Sequence, residues 1–171
     1  MTQFQRIALC AGIAVINAPH VSFWCETQNS SAEPYQKLQT KLLAWLRGEL
    51  KSEANLLRFH DAFCEWRDAQ PEDDSLAWRL LQFCCAALHS ACETLFDPEC
   101  DDTELLLGSL EALWAEMDEL GAETSDLRQY WHSLQQELPD LIKDNTRLPF
   151  PKAWFVWLQE ADVSLFGLSN D

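Results

Sequence analysis

The stretch from Leu76 to Phe96, LAWRLLQFCCAALHSACETLF, restricts what this chain can fold into more than any other. Fifteen of its 21 residues are apolar, counting Cys and Ala, so a helix there has almost no face to give to water. The exceptions are Arg79, Gln82, His89, Ser90, Glu93 and Thr94. Steps of three and four along Arg79, Gln82, Ala86, His89/Ser90 and Glu93 gather nearly all of them on one narrow stripe. The remaining circumference must be wrapped by other helices, and the stripe is too polar for a bare membrane span. The pattern predicts a central helix over residues 76–96 inside an all-α bundle.

The rest of the chain agrees with that frame. Five glycines and seven prolines leave little turn punctuation, which favours a few long helices. Phe4 to Ile16 reads as a first core helix, followed by a short one over 19–28 opened by Pro19. Arg6 before the run IALCAGIAVI is like a short signal peptide, but Ile16-Asn17-Ala18 makes a poor cleavage site. Residues 33–50 carry Tyr35, Leu38, Leu42, Trp45, Leu46 and Leu50 at helical spacing. Ser52 can cap a helix to about Ala69, and Ser75 or Asp74 the central helix, which Asp97-Pro98 closes. Further helices are expected over 103–120, stopped by Gly121, and from Thr124 or Ser125 to about Leu138, where Pro139 should bend or restart the chain. After the rigid LPFP link comes a last amphipathic helix with Trp154, Trp157, Leu158 and Ala161. No period-two alternation or Asn-Gly or Asp-Gly turn marks a strand. The expectation is one all-α domain over 1–171, with about seven or eight helices.

Charge narrows the partners. Twelve basic against 28 acidic residues give −16, and residues 86–171 alone carry −14. Such a chain has no unaided grip on nucleic acid phosphates and is not drawn to anionic lipid, so neither nucleic acid nor membrane is an expected partner. Between Glu93 and Asp126 stand 12 acidic residues and no Lys or Arg. A run of this kind is ordinarily a solvated helix face. It also offers Glu116, Glu119 and Glu123 as candidate contacts for a basic partner. DNA mimicry would need carboxylates spaced like duplex phosphates. No Asp-x-Asp-x-Asp-Gly calcium loop is present.

Seven cysteines, an odd number without framework spacing, point to reduced thiols and a cytosolic compartment. Cys85, His89 and Cys92 fall at i, i+4 and i+7 of the central helix, a spacing that could offer three ligands to zinc with Cys25 or Cys64 as the fourth. Against this, Cys on an apolar face packs as a small hydrophobe, and no CxxC or HxxxH accompanies it. The four histidines lie in no Ser/Asp setting, His60 and Asp61 are neighbours pointing about 100° apart, and GxxxxGK and GxGxxG are absent. No cofactor is expected. Core packing accounts for most of the eight tryptophans. Trp154 and Trp157 lie three residues apart on one face, so they either close the bundle or meet a partner; the LPFP link favours closure.

Several pieces, taken in order, resemble the YjaG-like family of all-helical bacterial proteins. They are Pro19-x-x-x-x-Trp24-Cys25, then Tyr35-x-x-Leu38 with Trp45 ten residues after Tyr35, then Ala69-x-Pro71 with Asp73-Asp74 before the central helix. The resemblance covers roughly residues 4–96. It implies a helical fold, a bacterial cytosolic setting and a regulatory or signalling context, and it supplies no substrate. Val15-Ile16 replace a Glu-Arg pair of the family, and Leu80 or Leu81 stands where an acidic residue is expected. The functional expectation is a small non-catalytic adaptor or regulatory protein acting through protein binding. The alternative is an enzyme or metal protein using the Cys85/His89/Cys92 face.

Overall fold

A computed structural model describes residues 1–168 as eight helices and no strand. They are α1 (Gln3–Ile16), α2 (Ala18–Thr27), α3 (Glu33–Leu46), α4 (Glu53–Asp68), α5 (Leu76–Phe96), α6 (Thr103–Glu119), α7 (Ser125–Leu141) and α8 (Lys152–Glu160). The all-α single-domain expectation holds; residues 169–171 of the expected domain lie outside the described residues.

Local sequence sets the helix ends. Thr2 and Gln5 close a capping box on α1, while Ser52 and Ser75 each accept a backbone N–H from the first turn of α4 and α5. Two boundaries differ from expectation. α3 stops at Leu46, four residues early, because Gly48 takes φ 76° and lets the Gly48 and Glu49 amides donate back to Trp45 and Ala44. Those bonds satisfy carbonyls that a continuing helix would have used. α7 runs through Pro139 to Leu141. Proline forfeits one helical bond there, at about 3 kcal/mol, but it faces solvent while Trp131, Leu134, Leu138 and Ile142 anchor the same helix in the core on either side.

α1 and α5 pack along each other as the axis of the bundle, and α2, α3, α4 and α6 complete the wrapping of α5. Of the expected core of α5, Leu80, Leu81, Phe83, Cys84, Ala87, Leu88 and Ala91 are buried, but Leu95 is only half-buried. The most enclosed element is α1, not α5: nine of its 14 residues are buried against 11 of 21 in α5, because the polar stripe of α5 stays uncovered. Buried polar bonds tie distant segments to this axis. Tyr35 Oη donates to the Ala14 carbonyl at 2.7 Å, and Trp114 Nε1 donates to the Leu165 carbonyl at 2.8 Å. Asn17, between α1 and α2, donates to Ile13 and accepts from the Leu165 amide, both at 2.9 Å.

α8 closes the bundle against α1 and α7. Trp154 is 0% exposed and Trp157 3%, so the reading of these two as partner-contact residues is corrected: their rings are already spent on the core. No single helix among the described residues is long and apolar enough to cross a membrane.

Candidate functional site

The uncovered stripe of α5 is the floor of an open groove. Arg79, Gln82, Ala86, His89 and Ser90 line it from α5, with Phe83 beneath. Across from them α6 supplies Leu105, Leu106, Ser109, Ala112 and Leu113, and the groove encloses about 480 Å³. The groove exists because α6 touches α5 less closely than α1 does, and the stripe that α5 presents toward it is mostly polar or small. Leu105, at its edge, is 71% exposed although it is a large aliphatic side chain.

Charge is distributed unevenly along the groove. At one end Arg79 donates through Nε and Nη2 to both oxygens of Glu116 and through Nη1 to Asp74 at 3.3 Å. The Arg79 hydrogen bond holds the Glu116 carboxyl below its ordinary range. At the other end Asp102 accepts from Ser90 Oγ at 2.9 Å. Arg67 reaches the groove from the end of α4 and has no ion pair among the described residues.

The acidic run is less one-signed in three dimensions than along the chain. Arg128 pairs with Glu111 and Asp118, and Arg79 with Glu116, so three of the 12 carboxylates meet a guanidinium from outside the run. Of the three acidic contact candidates, Glu116 is therefore engaged beside the groove, while Glu119 and Glu123 are exposed. Hydrogen bonding from Ser125, first from its side chain and then from its amide, holds the Glu123 carboxyl below its ordinary range.

The Cys85/His89/Cys92 face is not assembled as a ligand set. Cys85 and Cys92 are buried in the core, and burial pushes the Cys85 thiol up to about 12 and raises Cys92 as well. The side chain that His89 meets comes from α4. His60 Nε2 lies 3.0 Å from His89 Nδ1, their rings stacked at 5.0 Å between centroids, and Cys64 Sγ stands 3.7 Å from His60 Nε2 and 4.0 Å from His89 Nδ1. Burial, and then the neighbouring His89, lower the His60 pKa, while burial raises the Cys64 thiol. These three are the described residues whose potential ligand atoms converge. His60 and Cys64 are four residues apart, a same-face spacing readable in the chain, but nothing in the chain says that this face of α4 meets His89.

Compared with known protein families, curated proteins and solved structures, the chain matches none.

Proposed function

We propose that this chain is a non-catalytic binding module whose α5/α6 groove seats a basic amphipathic helix of a protein partner. The observation that carries this is the groove itself, the one stripe of the central helix that the bundle leaves open. Arg79 to Ser90 spans 12 residues, about 16 Å or three helical turns, which suits the i, i+3/i+4, i+7 anchors of a docked helix. Phe83, Ala86, Leu106 and Leu113 offer those anchors an apolar bed, and exposed Leu105 extends it.

Charge decides the sign of the occupant. Five carboxylates lie between Asp97 and Glu104, Asp102 among them lines the groove, and the chain carries −16 overall. A basic helix is steered toward such a field, and its association slows as salt rises. Arg67 leaves room for one acidic side chain on the occupant and so sets its register. On the residue order given above, we place the chain with the YjaG-like family, in a regulatory role.

Selection from a displayed library of amphipathic helical peptides tests the proposal. Enrichment of net-positive sequences with a three-turn apolar ridge is expected. Binding should be lost in Leu105→Asp and in Ala112→Trp, which fills the groove from an exposed position. Selected peptides that bind these variants as tightly as the parent would refute the groove as the site.

A further inference from the structure

Independently of what occupies the groove, α4 and α5 present ligating side chains in register. His60 and Cys64 are four residues apart on α4, and His89 and Glu93 are four apart on α5, so each pair shares one helical face. Tetrahedral zinc, held by imidazole at about 2.0–2.1 Å and by thiolate at about 2.3 Å, sets those ligand atoms about 3.4 Å (N to N) and about 3.6 Å (N to S) apart. The observed edges are 3.0 Å for His60 Nε2 to His89 Nδ1, and 3.7 and 4.0 Å from Cys64 Sγ to the two nitrogens. Each lies within about 0.4 Å of the tetrahedral triangle, a displacement that side-chain torsions supply. A hydrogen bond between two neutral imidazoles also has the 3.0 Å length, but it gives no reason for the thiol to stand across both rings.

We propose that His60, Cys64 and His89 bind zinc(II), with the Glu93 carboxylate as fourth ligand. Glu93 is exposed and free to turn, and its negative charge already acts on both His60 and Cys64. Two imidazoles, one thiolate and one carboxylate form a borderline donor set that suits zinc, which accepts four-coordination without strain. The histidines bind neutral; the thiol proton of Cys64 leaves to solvent as the Zn–S bond forms, one proton per metal. Five of the six other thiols are poorly placed for this chemistry, since Cys10, Cys25, Cys84, Cys85 and Cys92 are buried, and Cys100 stands outside the cluster.

The test is a Zn(II) titration of the full chain, reduced and stripped with chelator, in competition with a chromophoric chelator. One zinc per chain is expected. His60→Gln, Cys64→Ser and His89→Gln should each weaken binding at least tenfold, and Cys100→Ser and His132→Gln, which stand outside the cluster, should leave it unchanged. Glu93→Gln should also weaken it tenfold, and an unchanged affinity would overturn the Glu93 assignment. Far-ultraviolet circular dichroism confirms the fold of each variant. Co(II) in place of zinc should give a thiolate-to-cobalt charge-transfer band that Cys64→Ser removes, a readout that a purely structural role of Cys64 would not produce. Less than one zinc per chain at saturation, or zinc retained by the His89→Gln/Cys64→Ser double variant, would overturn the site.

Discussion

Gly12 sits in the interior of α1, where glycine is ordinarily unfavourable by about 0.5–1 kcal/mol relative to alanine, and only its packing explains it. A Cβ built there would lie 2.9 Å from Trp157 Cζ3 and 3.0 Å from Cη2, with Leu158 Cδ2 at 3.9 Å. Carbon atoms prefer about 3.5–4.0 Å, so the ring would have to retreat by more than about half an ångström. It has little room to do so, because Trp157 is buried and stacks at 6.5 Å on Trp154. Overpacking of this kind costs about 1–3 kcal/mol, against the helix gain of up to about 1, so Gly12→Ala should destabilise by about 1–2 kcal/mol. Trp157→Phe removes the outer ring atoms, together with an indole N–H that meets no acceptor among the described residues. In that background Gly12→Ala should become stabilising by about 0.5–1 kcal/mol, a coupling of about 2 kcal/mol across the cycle. Urea unfolding of the four proteins, with m-values checked for constancy, measures it. Equal effects of Gly12→Ala in both backgrounds, within about 0.5 kcal/mol, would show that the glycine is not there to admit Trp157.

Further outcomes follow from the same structure. Leu88→Ala, at a fully buried site of α5, should lose about 2–5 kcal/mol in denaturant unfolding. A loss below about 1 would mean that the neighbouring core collapses into the space. Asn17→Ala strands the buried Leu165 amide and should cost about 2–4 kcal/mol, with hydrogen exchange at Leu165 accelerating before the α5 core. His20, bonded to Ser164 Oγ at 2.7 Å, is held by burial at a pKa of about 4 against its ordinary 6.5. The unfolded chain takes that proton first as pH falls, so stability is full above about 6.5 and is lost toward about 4, by up to about 3 kcal/mol. His60 is shifted in the same direction. His20→Gln should flatten the acid limb of a pH series of melting midpoints, and an unaltered slope would contradict it. Arg79→Gln should change stability by less than about 1 kcal/mol, because its ion pairs are half in solvent.

What the chain alone determined is its periodicity and its punctuation. A largely apolar run with one polar stripe permits only a wrapped helix at 76–96; Ser52, Ser75 and Gly121 mark ends through bonds to residues within a turn of themselves, and Pro98 marks one because it has no N–H to continue the ladder. Such interactions are local, so the order of types along the chain suffices to read them. The stripe on α5 was legible for the same reason, although not that it would stay open as a groove. Tertiary structure decided what depends on neighbours far along the chain. Pro139 is carried inside α7 because packing on both sides outweighs one missing bond, and Trp157 is core because Gly12, 145 residues earlier, leaves a notch for its ring, on which Trp154 stacks. Cys85, His89 and Cys92 share a helix yet do not converge, since burial turns both thiols into the core and aims His89 at α4. His60 and Cys64 meet it there because two helix faces pack, and no spacing within a single helix encodes which face lies opposite.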